Sequence, residues 1–416
     1  MYLRQENMDA FQHIYDRLLK QYPKDHYAAS AVRLKGKEFE LQGKYNTALK
    51  EFNKFLKSYP KDQLLPDVLW HAGWCNYQFQ EYQAALKTFD RLVRSYPKAH
   101  HKDEALYWAA RAAEKLQQVS NAATYYLKIV KANQNSYFGV LAQQALARLK
   151  QAHPNVTIEQ SANDKKPLPL NKKAAFSTKG GILHQQKSHT LAEIGLYSLA
   201  AEEFAYAIEK DKEDHAKYLE LARLYHRADR YHDLARLMRK HFWYWIAQGD
   251  ENVPRTFWEY AYPLSFRRIV DLCASVNGLD PLLVQALMLK ESVFDPHAIA
   301  AAGEMGLMQL LPATGKKMAN RLGISIYSPD EYFRPDVNIL LGTTYLNELS
   351  QLFRNQLPPV IASYNAGEHR VSTWWQENYK DDIPAFVAMI PYDGTKNYVQ
   401  AVLWYYREYR RIYKGS

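Results

Sequence analysis

Apolar positions in the first third of the chain recur at helical spacing. Tyr45, Ala48, Leu49, Phe52 and Leu56 fall three and four residues apart, which lines one face of an α-helix. The pattern returns every 37 residues: Tyr22–Asp25 and Tyr59–Asp62 both read YPKD, and Tyr96–Ala99 reads YPKA. Tyr15, Phe52, Phe89 and Tyr126 keep step, as do Ala48, Ala85 and Ala122, Leu19 and Leu56, and Tyr45 and Tyr82. Pro60 and Pro97 end the helices, because a proline disfavours helical geometry in the residue before it. Each unit is predicted to be a helical hairpin that buries its apolar face only by stacking on its neighbours. The repeat starts mid-unit at about Tyr15, and a further part of the array is expected upstream.

The beat holds over residues 1–150 and is lost over 151–182, where prolines and lysines gather and Gly180–Gly181 closes the stretch. That segment is predicted to be a linker or an exposed excursion. Helical spacing returns over 183–255, in two or three helices that continue the array or bridge to a final module. Residues 256–416, richer in glycine and proline, form that separate module. Asp280–Pro281 pairs an N-cap acid with proline at the first helical position. The apolar run from Leu282 to Leu289 then makes a largely buried helix that ends near Glu291. Pro312 opens another helix, which Gly323 ends. Pro335 and Pro359 open two more, and a long helix from Thr395 to Tyr413 closes the chain. No stretch alternates with the period of a strand. The fold class is all-α: a helical-hairpin solenoid followed by a compact helical module.

Composition narrows the function classes. Of 416 residues, 47% are hydrophobic and 24% charged, the balance of a globular protein rather than a disordered one. No apolar run is long enough to span a membrane. The N-terminal MYLRQENMDAF carries neither a basic segment nor an apolar core of the kind a secretory signal needs, so a processed form, an upstream start and an internal location all stay open. Cys75 and Cys273 read as buried small hydrophobes, and no CxxC or histidine cluster points to a metal. The net charge of +10 suits a polyanion or serves solubility, but the basic residues are spread along helices and no nucleic-acid motif accompanies them. Trp374, Trp375 and Tyr379 could stack on sugar faces, although rings in helical proteins are more often core.

Glu291 is the candidate for chemistry. At the C-terminal end of a buried apolar helix, a carboxylate is disfavoured by desolvation and by the negative end of the helix dipole. Both raise its pKa, as a general acid near neutral pH requires. On composition alone, a solvated helix-terminal acid beside Lys290 is the commoner reading. Downstream, the turn from Gly303 to Gly306 leads into Leu307, Met308 and Gln309, where glycines let backbone approach a ligand. Ser363-Tyr364-Asn365-Ala366-Gly367 sets a phenol and an amide at a helix end. Asp295 before Pro296 reads as a turn residue.

The three blocks together decide between these readings. Glu291-Ser292, then Gly306-Leu307-Met308-Gln309 with Pro312 three residues on, then Ser363 to Gly367 occur in the order and at the distances of the soluble lytic transglycosylases, whose catalytic domain residues 265–410 resemble. The hairpin array resembles the tetratricopeptide family, with a slightly longer period, and also the superhelical part of the same enzymes. The resemblance implies a goose-lysozyme-like helical catalytic domain. It implies cleavage of the β-1,4 bond between N-acetylmuramic acid and N-acetylglucosamine in peptidoglycan, leaving 1,6-anhydro ends, with no cofactor and no metal. Glu291 matches the family's acid, and Ser292 its orienting neighbour. Met308 and Gln309 match positions lining the sugar subsites, while Tyr364 and Asn365 match residues near the acid. The implied location is the periplasm or cell envelope. The implied partners are glycan strands and a protein on the array; nucleic acid is not expected.

Ordinary glycosidases need two carboxylates, about 5–5.5 Å apart when retaining and about 6.5–9.5 Å apart when inverting. A transglycosylase needs one, because the sugar's own 6-hydroxyl attacks in place of water. Four positions leave the family pattern: Gly394 and Lys396 stand where Glu and Arg are usual around Thr395, Ala300 replaces a serine, and Glu304 a small residue. Asp393 could substitute for the missing Glu from one residue earlier. Glu304 as a second carboxylate would turn the reading toward a goose-type lysozyme, a hydrolase on the same fold. The remaining alternatives are a wall-binding scaffold without activity and a nucleic-acid-binding solenoid that rests only on the +10 charge.

Overall fold

The computed structural model describes residues 8–154, 168, 174–212, 214–249, 253–375 and 381–414. It is all-α: the only β pairing among the described residues is two isolated bridges, Ile299 with Met305 and Met305 with Leu310. The chain divides into two compact units, Met1–Asp164 and Lys165–Ser416.

The first unit is a run of eight antiparallel helices: α1 (Met8–Gln21), α2 (His26–Leu41), α3 (Tyr45–Ser58), α4 (Leu65–Gln78), α5 (Tyr82–Ser95), α6 (Lys102–Lys115), α7 (Val119–Asn133) and α8 (Tyr137–Ala152). Each packs chiefly on the next in sequence, as a solenoid requires. Helices α3 and α5 stop at Ser58 and Ser95, just before the repeated Tyr-Pro. The repeated positions are core: Ala48, Ala85, Ala122, Phe52, Phe89 and Tyr126 are fully buried. Two glycines show how tightly the hairpins close. A Cβ on Gly36 would lie 2.5 Å from the Phe52 ring, and one on Gly73 would lie 2.6 Å from the Phe89 ring. Each ring thus rests on the bare backbone of the preceding helix, an interlock that repeats with the period.

A partly buried ionic ladder crosses the same repeats. His71 on α4 lies 2.8 Å from Glu40 on α2 and 3.7 Å from Asp67, and His101 lies 3.5 Å from Asp67 and 3.2 Å from Glu104 on α6. Arg33 on α2 also pairs with Asp67. Burial by itself would push the Asp67 carboxyl up, but His71, His101 and Arg33 together hold it far below the usual carboxylate range.

The second unit begins with four antiparallel helices, α9 (Lys179–Glu193), α10 (Tyr197–Glu209), α11 (His215–Arg227) and α12 (Tyr231–Gln248). Two or three were expected. The extra one arises because Gly195, with φ of +81°, splits what reads as one continuous pattern. Gly180 and Gly181 do not close a loop. They lie in the first turn of α9, capped by Thr178, whose hydroxyl accepts from the Gly181 N–H at 3.0 Å. Most of the expected linker lies outside the described residues.

Then come α13 (Arg255–Ala261), α14 (Arg267–Val276), α15 (Pro281–Glu291), α16 (Pro312–Leu322), α17 (Pro335–Leu352), α18 (Leu357–Ala366), α19 (Glu368–Trp374), α20 (Ile383–Met389) and α21 (Asp393–Tyr413). Asp280 caps α15 through the Leu282 N–H, and Gly323 ends α16 in the left-handed conformation. Helix α18 opens at Leu357 rather than at Pro359, since prolines are tolerated within a first turn, where N–H groups lack helical partners. Helix α15 is buried from Leu282 to Leu289 and packs mainly on α21, as does α18. Cys75 and Cys273 are both free thiols, buried in separate units.

Candidate active site

Glu291 is the last residue of α15, where the apolar helix delivers it to the rim of the buried core. Its Oε1 accepts a hydrogen bond from the Tyr398 hydroxyl of α21 at 2.6 Å. Burial pushes the Glu291 carboxyl up to about 7; the Tyr398 hydrogen bond and the Lys290 ammonium oppose that rise, while the charge of Glu304 adds to it. The Tyr398 phenol is pushed well above 10 by burial and then by the Glu291 charge, so it stays a proton donor throughout the neutral range. Tyr398 is the residue that sequence reading missed. It sits in an aromatic-rich helix beside Tyr405, Tyr406 and Tyr409, and only the packing of α21 on α15 singles it out.

The backbone after Glu291 is held in an unusual shape. Val293 and Phe294 have φ of +53° and +64°, a region that costs a non-glycine residue about 1–3 kcal/mol. Two contacts hold it there: Phe294 is buried, and the Val293 carbonyl accepts from His232 Nδ1 of α12 at 3.0 Å. Ser292 is buried, and its hydroxyl donates to the Leu307 carbonyl at 2.8 Å, stitching the first sequence block to the second. Asp295 accepts from the His297 N–H at 2.9 Å, an ordinary turn.

The second block is shaped by a side chain that no motif flagged. Asn338 of α17 is fully buried; its Oδ1 accepts from the Met308 N–H at 2.8 Å, and its Nδ2 donates to the Met305 and Tyr332 carbonyls at 3.0 and 2.8 Å. Gly306 is required there. Its φ is +76°, and a Cβ would lie 2.3 Å from the Tyr332 carbonyl oxygen. The Met308 side chain, expected to line a sugar subsite, is fully buried instead, wedged where a Cβ on Gly342 would meet its sulfur at 2.4 Å. What Met308 offers the site is its carbonyl, which accepts from the Tyr364 hydroxyl at 3.0 Å. Gln309 folds back, its Nε2 donating to the Ala298 and Gly306 carbonyls at 3.1 and 2.8 Å.

The third block closes the cluster. Tyr364 is partly buried and lies close enough to Glu291 for that charge to add to the desolvation that raises its phenol well above 10. Asn365 Oδ1 accepts from the Thr395 hydroxyl at 2.7 Å, which ties α18 to the start of α21. A side chain at Gly394 would meet nothing within 4 Å, and Lys396 is buried. Trp374 and Trp375 are partly exposed and pack edge-on against Tyr392 and Phe386; Tyr379 lies outside the described residues. The fold thus brings Glu291, Tyr364 and Tyr398 together, with Ser292, Met308, Gln309 and Asn338 holding the backbone around them.

Known proteins resemble this chain in sequence and in fold. Residues 271–387 match the family described as Transglycosylase SLT domain, and residues 35–165 match one described as Outer membrane lipoprotein. A Haemophilus influenzae protein provisionally named a soluble lytic murein transglycosylase is 29% identical over 272 residues, 64% of this chain and 41% of its own length. The soluble lytic murein transglycosylase of Escherichia coli is 31% identical over 182 residues, 42% of this chain and 28% of its own. The chain therefore spans less than half the length of these relatives. In overall fold it matches the lytic transglycosylase Slt of Pseudomonas aeruginosa, with a TM-score of 0.67, 22% identity, and coverage of 96% of this chain and 60% of that one. The 70 kDa enzyme of Escherichia coli matches with a TM-score of 0.56, 20% identity, and coverage of 92% and 62%. Behind the helical array, then, residues 271–387 match the transglycosylase SLT domain, and the proteins this chain is similar to include soluble lytic murein transglycosylases.

Proposed function

We propose that the chain is a peptidoglycan lytic transglycosylase in which Glu291 acts first as general acid and then as general base. The observation that carries this reading is the enclosed Glu291 carboxyl at the end of α15, hydrogen-bonded by the Tyr398 phenol at 2.6 Å and pushed up to about 7 chiefly by burial. A carboxyl raised toward neutral pH has both its protonated and its ionised form within reach of one catalytic cycle. Protonated, Glu291 donates to the glycosidic oxygen as the bond to C1 of N-acetylmuramic acid breaks and positive charge develops on the ring. As carboxylate, it takes the proton of the 6-hydroxyl while that oxygen bonds to C1 and closes the 1,6-anhydro ring. The attacking group is tethered, so no second carboxylate is needed to activate water.

Ser292, Met308, Gln309, Tyr364 and Asn365 are read as the orienting and substrate-binding frame. Their hydrogen bonds fix the backbone on which the sugar would lie. The array is read as a rigid spacer or a docking surface for a protein partner, and the likeness of residues 35–165 to an outer membrane lipoprotein family supports a place in the cell envelope. No single helix among the described residues is long and apolar enough to cross a membrane.

The test is mass spectrometry of the products from isolated peptidoglycan. Wild type is expected to release 1,6-anhydromuropeptides, and Glu291→Gln to release none. Reducing muramic ends would replace this reading with a lysozyme. Unchanged wall with both proteins would leave a binding scaffold.

A further inference from the structure

The bridging helices reach the turn that follows Glu291 through one side chain. His232, the second residue of α12, stands 61 positions before Val293 and outside the matched residues 271–387. Its Nδ1 lies 3.0 Å from the Val293 carbonyl oxygen. A carbonyl only accepts, so Nδ1 carries the hydrogen whether the ring is neutral or charged. It is the one donor to that carbonyl among the described residues. Val293 and Phe294 both hold left-handed φ, +53° and +64°, which residues with a Cβ keep only under constraint. Part of that constraint is the buried Phe294 ring and the Ser292 hydroxyl on the Leu307 carbonyl. The rest is His232. The imidazole stands on a braced corner: Arg230 pairs with Asp233 at 2.7 Å and with Glu202 of α10 at 3.2 Å, and the Tyr231 hydroxyl donates to Asp229 at 2.7 Å.

We propose that His232 is a positioning residue for Glu291: it pins the Val293 carbonyl and, through that strained turn, fixes the direction in which the acid points. Helices α10 to α12 then belong to the catalytic apparatus as its mount. Without the pin, Val293 and Phe294 relax toward ordinary backbone angles, and the carboxyl two residues earlier turns with them. A displacement of about 1 Å at a reacting group costs on the order of a hundredfold in rate. The effect of His232 on rate rests on the transglycosylase reading, while its effect on the placement of the Glu291 carboxyl stands apart from it.

Kinetics and NMR on the full chain test it. On solubilised glycan strands, His232→Ala is expected to lower kcat about tenfold to a hundredfold with KM within about twofold of wild type. His232→Asn, whose amide donates from nearly the same place, should recover most of that loss. A kcat for His232→Ala within about twofold of wild type, or equal losses in both variants at unchanged helical circular dichroism, overturns the proposal. Nitrogen-15 NMR of the His232 ring is expected to show the hydrogen on Nδ1 in the neutral form. A neutral ring protonated only at Nε2 overturns the proposal even if His232→Ala fails to fold. If wild type proves inactive on peptidoglycan, the functional reading fails and the Glu291 carboxyl resonance decides the role of His232. Followed by carbon-13 NMR, with Glu291→Gln assigning it, that resonance is expected to move in His232→Ala and return in His232→Asn; an unmoved resonance sinks the idea.

Discussion

A carboxyl at the end of an apolar helix carries opposing demands, and the residues around Glu291 set the balance. Burial raises its proton affinity, and the 2.6 Å hydrogen bond from Tyr398 lowers it. In Tyr398→Phe, the donor that favours the carboxylate is lost, so the alkaline limb of kcat/KM is expected to move above pH 7. Activity should also drop about tenfold or more, because the acid loses the contact that orients it. A pH–rate series on solubilised glycan strands checks both; a limb that stays in place would show that the phenol does not act on the acid. Glu291 and its helix end were legible from the apolar run that precedes it. Tyr398, 107 positions later, was not, because nothing in an aromatic-rich helix says which ring will face a particular carboxylate.

At the scale of elements, small residues decide how closely helices approach. The Gly36–Phe52 and Gly73–Phe89 contacts are the same interlock one period apart, and in the third unit Ala110 and Tyr126 stand at the corresponding positions. Gly73→Val is expected to destabilise the array by about 2–3 kcal/mol. The added side chain must displace a fully buried ring, and that overpacking outweighs the small gain in helix propensity. A lowered urea midpoint with unchanged slope would be the sign of it; a midpoint within error of wild type would mean that Phe89 can move aside. The aromatic half of this pair shows in the sequence as a period. The glycine half does not stand out, since an isolated glycine within a helix reads only as a mild flaw until the ring above it is seen.

In the molecule as a whole, the first unit is tied across its repeats by the ladder of Glu40, Asp67, His71, His101, Glu104 and Arg33. The Asp67 carboxyl is held far below its unfolded value of about 3.9, so its stabilisation is fully present above that pH and is lost as the pH falls toward the folded value. Asp67→Asn should cost about 2–3 kcal/mol at pH 7, because Arg33 loses a largely enclosed counter-charge and His71 and His101 lose a carboxylate partner. Hydrogen exchange in α2, α4 and α6 is expected to quicken at pH 7 in the variant. The difference from wild type should narrow as the pH drops below about 4. Equal exchange at both pH values would rule out this linkage.

The sequence by itself determined the all-α class, the 37-residue hairpin period, the proline and aspartate starts of the later helices, and the acid at the end of α15. These rest on local rules: side-chain periodicity, the geometry of proline and the capping of helix ends act within a few residues of each other. Only the tertiary structure decided what meets Glu291, since Tyr398, Tyr364, Glu304 and the Val293 carbonyl's donor His232 come from four separate segments. It also turned Met308 inward and made Asn338 the clasp of the Gly306 turn, because a buried side chain's role depends on which neighbours fill the space around it. Burial itself is such a property: it raised the proton affinity of the Glu291 carboxyl, and no single stretch of the chain contains it.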